Sequence, residues 1–292
     1  MQYLLILFIV LLNCGSLIFN RKFARDTQDI PYSYEIYSLL LFPLATVYYF
    51  VLAKGNVPLN WPTFLFSVVF AVICLGSNLF NIRALRSVNI VHITIFDGAG
   101  ATILPFLFEA VLLQEAFSVY KVLAVILRLI AVSIPLLFLK QKRGGSARGI
   151  FICLMLFIIA GAANIITRLY GDHPNVYSDS SFCFWTNVFI LPFALFRALK
   201  AANFQTIKAQ SRKIPIRDYL YIILTMALTN LATLLAIDAV RQIGATLYSV
   251  LSASVQIVTY TLLSVFAYKE KLTKATVLSV IFSILAIIVG VL

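Results

Sequence analysis

Apolar runs of about twenty residues alternate with short polar connectors along the whole 292-residue chain. The runs fall at 3–20, 36–53, 63–82, 88–113, 119–139, 148–168, 182–199, 219–238, 244–268 and 273–292. A hydrocarbon core ~30 Å thick is crossed by about 20 apolar residues rising ~1.5 Å each. The pattern therefore predicts an all-α membrane protein with ten transmembrane helices. Connectors such as 54–62 (KGNVPLNWP), 140–149 (KQKRGGSARG) and 170–180 (YGDHPNVYSDS) are too short to hold a soluble domain. The first run has no positive charge before it, since the first basic residue is Arg21, so it is expected to be a spanning helix rather than a cleaved leader.

Composition agrees: 62% of residues are hydrophobic and 12% charged, against roughly 45–50% and 25% in soluble domains. The net charge of +12 takes its meaning from position. Connectors after the odd-numbered segments hold three, two, four, six and three basic residues, 18 of the 23 in the chain. The other side has only Lys54, Lys121, Arg168 and Arg241, and Arg128 lies inside the fifth segment. This bias predicts cytoplasmic basic connectors and both termini outside. The basic stretch 197–217 is then a surface loop whose neighbour is anionic lipid headgroups. Stacking aromatics are too sparse there for nucleic-acid binding. Cys14, Cys74, Cys153 and Cys183 fall in or beside apolar runs without a C-x-x-C pair, and read as small buried hydrophobes. No metal site or cofactor is expected.

Residues 84–118 and 239–273 follow one ungapped template. Ala84, Arg86, Glu115 and Ser118 fall on Ala239, Arg241, Glu270 and Thr273 at a constant offset of 155. The chain reads as two five-helix repeats, residues 1–140 and 148–292, joined by a linker at 141–147. Five is odd, so the second repeat enters the membrane inverted relative to the first, the plan of transporters that bind substrate near the bilayer midplane.

At these residues the sequence resembles the EamA-like branch of the drug/metabolite transporter superfamily. The Ala-Leu-basic step of that family is matched by Ala84-Leu85-Arg86 and Ala239-Val240-Arg241, and its Leu-Gly-Glu turn by residues 113–118 and 268–273. The resemblance implies ten helices in two inverted five-helix repeats, with the fifth and tenth peripheral, and carriage of amino acids, other metabolites or drugs. Three features depart from the pattern. Gln114 and Lys269 replace the turn glycine, and Pro105 lies three residues late. Cytoplasmic termini, common in the family, run against the charge count.

A charge near the bilayer centre costs ~2.5–3.5 kcal/mol on insertion scales, so polar residues inside the spans are candidates for function. Asp97, beside Gly98 and Gly100, is read as a proton-coupling or cation-binding group. The competing reading pairs Asp97 or Glu109 with Arg128, which helical rise sets between them. His92 reads as an interfacial hydrogen-bonder. Asn13, Asn78, Asn81, Asn164, Asn187 and Asn230 extend the polar pattern. Of these Asn13, Asn78, Asn164 and Asn230 are taken as substrate contacts, together with Asp97 and with Tyr248, Ser252 and Gln256 on one face of the ninth segment. For any single Asn, bonding within the bundle is the stronger reading. Trp61 and Trp185 read as interface anchors, Glu115 and Glu270 as turn carboxylates, and Ser118 and Thr273 as N-caps.

No zincin, nucleotide-binding or nucleophile-elbow motif occurs, so neither an enzyme nor an ATP-driven pump is expected. The expected function is secondary transport of a small organic solute across the cell membrane by alternating access, with proton or cation coupling and membrane lipid as its surroundings. A monomer or homodimer is expected. The alternative is an integral membrane enzyme acting on a lipid or lipid-linked substrate.

Overall fold

The computed structural model describes residues 2–87, 90–116, 118–138, 147–173, 178–268 and 273–292, the side chains at 2, 21, 78–79, 81–95, 135–138, 147–150, 260 and 263–268 excepted. Asn78, Asn81 and His92 therefore lie outside the described side chains, and Glu270 and residues 141–146 outside the described residues. Among the described residues there is no strand. The helices are α1 (Gln2–Asp26), α2 (Ser33–Leu52), α3 (Trp61–Ser87), α4 (Ile90–Val111), α5 (Val119–Phe138), α6 (Ala147–Asp172), α7 (Asp179–Ala201), α8 (Phe204–Ser211), α9 (Ile216–Ile243), α10 (Ala245–Tyr268) and α11 (Lys274–Val291). Each apolar run falls on a helix, and α8 is an addition in the 197–217 loop. Six helices, α1, α2, α6, α7, α9 and α11, contain described stretches long and apolar enough to cross a membrane.

Local chemistry starts these helices where hydropathy alone is silent. Ser178 caps α7 by accepting the Ser181 N–H at 3.3 Å, and Asn60 accepts the Thr63 N–H at 2.9 Å at the start of α3. Ser118 accepts from Lys121 N–H and Thr273 from Thr276 N–H, each at 3.2 Å. These last two caps stand 155 residues apart, donors and acceptors alike.

The chain divides into two compact units, each drawn from both halves of the sequence. The first comprises Met1–Val10, Ile73–Asp172 and Asp238–Leu292, the second Leu11–Val72 and His173–Ile237. In the first unit α4 packs on α6 and α5 on α11, while α10 touches α4, α5, α6 and α11. Ser279 Oγ donates to the Ala131 carbonyl at 2.7 Å, and Gly290 lies beside Ala124, so α5 and α11 run antiparallel. Their seam is lined by Ala124, Ala131, Ser279, Ser283 and Ala286, all under 5% exposed, small side chains that let helix backbones approach in lipid. The opposite faces carry Leu123, Ile126 and Ile130 on α5 and Ile281, Ile284, Leu285 and Ile288 on α11, all exposed. Such apolar faces suit hydrocarbon and would be a liability in water.

In the second unit α2 packs on α7, and α8 lies against both. Ser16 and Thr229 hydroxyls meet at 2.6 Å, Ser67 Oγ donates to Phe182 O at 3.1 Å, and Tyr49 OH donates to Asn230 O at 3.3 Å. Trp61 stacks on Phe64, and Trp185 Nε1 donates to Val57 O at 3.1 Å beside Phe184 and Phe189. Both tryptophans thus sit by the 54–62 connector.

Candidate functional site

Two glycines set the surroundings of Asp97. A Cβ on Gly100 would collide with the backbone of Phe157 on α6, and a Cβ on Gly161 would come 2.7 Å from the Gly100 carbonyl, so α4 and α6 touch backbone to backbone. A Cβ on Gly98 would stand 2.9 Å from Arg128 Nη2, so the guanidinium of α5 fills the place of a missing side chain. At about 100° per residue the two glycines point about 160° apart, and Asp97 and Ala101 fall in the narrower arc between them. Ile103 and Leu107 lie in the wider arc, Leu107 49% exposed. Asp97 is itself exposed and makes no hydrogen bond or ion pair with a described residue.

Asn164 joins this face, its Nδ2 donating to Ala101 O at 3.0 Å. From α10 come Tyr248, Ser252 and Gln256, each half-buried and one turn apart. Glu109, near the end of α4, bonds the first residues of α10, so the two helices run in opposite directions. Counted from that bond at ~1.5 Å per residue, Asp97 lies about 18 Å along α4 and Gln256 about 17 Å along α10, the same depth. The structure therefore gathers Asp97, Asn164, Ser252 and Gln256 within about two turns of depth in the first unit. Asn13 and Asn230 belong to the second unit. Asn230 Nδ2 donates to Met226 O at 2.7 Å and Asn187 Nδ2 to Cys183 O at 2.8 Å, both within their own helices.

The expected pairing of Glu109 with Arg128 is not what forms. Glu109 is 0% exposed. One of its oxygens accepts from the N–H groups of Ala245 and Thr246 at 2.6 and 3.2 Å, and the other meets Lys121 Nζ at 3.3 Å. The physical reason is the chain reversal that begins at 112–116, which returns Lys121, in the first turn of α5, beside the end of α4. A carboxylate at a helix N-terminus also faces the positive end of its dipole. Arg128, 2% exposed, makes no ion pair with a described carboxylate, and its Nε and Nη1 have no hydrogen-bond partner among the described residues. The expected Asp97–Arg128 pair is likewise absent.

Beyond Glu109 runs a charged chain that hydropathy did not reveal. Lys121 also meets Glu115 at 3.6 Å, Glu115 meets Arg168 at 3.1 Å, and Arg168 meets Asp172 at 2.8 Å. Arg168 Nη1 donates to Val240 O, and Arg241 Nε donates to Gly171 O at 3.1 Å, each a carbonyl near a helix C-terminus. Lys121, Arg168 and Arg241 are three of the four basic residues on the charge-poor side of the sequence. Their rarity was the available signal.

No protein-family model and no curated protein matches the chain. Among solved structures, a crystal structure described only as that of a protein matches 99% of this chain and 95% of its own, with a TM-score of 0.69 and 18% identity. That likeness shows a shared fold over the full length and nothing further.

Proposed function

We propose that the chain is a secondary transporter of the EamA-like drug/metabolite type, moving a small organic solute across the cell membrane by alternating access. The observation that carries this reading is Asp97: an exposed carboxylate inside an apolar helix, free of ion pairs among the described residues, on the arc of α4 that also holds Ala101 and its Asn164 bond. Uncompensated charge at such depth is retained for ions or substrate. Asp97 is the proton-coupling group, and Asn164, Ser252 and Gln256 are the polar contacts at its level.

Inverted repeats are supported by three further features. The caps at Ser118 and Thr273 coincide at the repeat offset. The template-matched pairs α4 with α10 and α5 with α11 pack together and run antiparallel. The contact of α4 with α5 is mirrored by that of α10 with α11. The enzyme alternative needs convergent free acids, whereas Glu109, Glu115 and Asp172 are held in ion pairs.

The test has two arms. Purified protein is screened by thermal shift against a metabolite library, where a true ligand stabilises the folded state by mass action. Flux of the hit is then followed in vesicles from pH 5 to 8 for the native protein and Asp97→Asn. Loss of pH dependence in the variant is expected; an unchanged profile removes Asp97 from coupling, and a screen without hits together with glycerolipid turnover would favour the enzyme.

A further inference from the structure

The 197–217 segment contains six basic residues and no acidic one, and the structure turns that composition into a defined surface. Helix α8 is fixed to its unit from below: Ile207 and Ile214, each 4% exposed, enter a cluster with Phe23, Ile36, Tyr37, Ala198 and Ile222. Tyr219 OH donates to Ser211 O at 2.6 Å and closes the return to α9. Two nearby acids are already engaged, Asp26 by Arg217 at 2.6 Å and Glu35 by Arg197 at 3.7 Å. Lys200, Lys208, Arg212 and Lys213 are exposed and make no ion pair with a described residue.

Two apolar side chains break the polar surface at its ends. Phe204, the first residue of α8, is 60% exposed, and Ile216, the first residue of α9, is 89% exposed. Phe204, Lys208 and Arg212 follow at four-residue spacing, and Arg212 keeps helical backbone angles, so the three lie along one stripe of α8. A solvated loop would need only the charges. An aromatic followed by two cations, with a second apolar side chain at the far end, is the make-up of a helix lying in the membrane surface. Position names the occupant: α8 starts three residues after α7 ends and stops five before α9 begins, and both neighbours are long and apolar enough to cross a membrane. With α7 and α9 as spans, the stripe lies at headgroup level.

We infer that α8 binds the headgroups of anionic glycerophospholipids through Lys208, Arg212 and Lys213, with Phe204 and Ile216 seated at the boundary between headgroups and acyl chains. The site is independent of the transport reading.

Photo-crosslinking tests it. The full chain is reconstituted with trace diazirine-bearing phosphatidylserine or the matched phosphatidylcholine probe, and labelled peptides are mapped. The 200–217 peptide is expected to take the anionic probe in excess. Each cation removed, as in Lys208→Gln with Arg212→Gln, lowers that excess about fivefold at low salt, and high salt lowers it further. Phe204→Ser reduces labelling by both probes. The lipid-facing α11 peptide around Ile281–Ile288 serves as the internal control and stays constant. Equal labelling by both probes, or no labelling of 200–217 while α11 is labelled, overturns the assignment; the second outcome would give the patch to a soluble acidic partner.

Discussion

The α4–α5 and α10–α11 helix pairs align without a gap at an offset of 155, yet only the first carries charge in the interior of its helices. Their frames agree: Ser118 and Thr273 cap identically, and Ala131 and Ala286, matched by the offset, are both 0% exposed in the seam. Their polar cargo differs. Asp97 is matched by Ser252, Gly100 by Val255, Ala101 by Gln256, Glu109 by Ser264 and Arg128 by Ser283. Caps and small seam residues are what helix packing in lipid demands, so both copies keep them. Charges are costly there, so one copy holds them and the other substitutes hydroxyls and an amide.

The sharpest way to break this asymmetry is Glu109→Ala. It strips Lys121 of its buried partner and uncaps α10, at a cost of about 3–5 kcal/mol, read as a lowered unfolding midpoint in detergent. Next comes Gly100→Ala, which drives a methyl into the Phe157 backbone and destabilises by about 1–3 kcal/mol. Gly98→Ala should cost less, because Arg128 can withdraw a flexible end. Should the two alanines cost the same, α4 and α6 are not in backbone contact. Smaller still, Ser118→Ala and Thr273→Ala are each expected to lose about 1 kcal/mol; clearly unequal losses would mean that the two turns have diverged. Last, Gln114 adopts a left-handed φ of 51°. Gln114→Gly removes a strain of about 1–2 kcal/mol against the extra chain entropy of glycine, for a net gain of about 0.5–1 kcal/mol in midpoint measurements.

That last residue illustrates what sequence reasoning can reach. The family that the sequence resembles has glycine where this chain has Gln114, and the backbone there does adopt the conformation glycine favours; the substitution was visible, its strain was not. The ten apolar runs located ten helices, but several helices outrun them, α1 to Asp26 and α6 to Asp172. Hydropathy registers residues that tolerate hydrocarbon, whereas the backbone continues helical through charged ends that reach water or one another. Helix α8 was missed because eight mostly polar residues bearing one buried Ile207 produce no apolar run. Residue type singled out Asp97, and helical spacing grouped Tyr248, Ser252 and Gln256, which the structure keeps one turn apart on α10. Partner choice was hidden, since it depends on how a turn folds back: rise along straight helices favoured Arg128 for Glu109, and the turn delivered Lys121.

The double engagement of Glu109 also sets an order of events during synthesis. Lys121 follows it by 12 residues and can neutralise it as soon as α5 leaves the ribosome. Its other partner, the Ala245 amide, is 136 residues downstream. Until that amide emerges, the α4 carboxylate is only half satisfied. A polypeptide stopped near residue 140 is therefore an unfinished fold, and its expected fate is capture by membrane quality control.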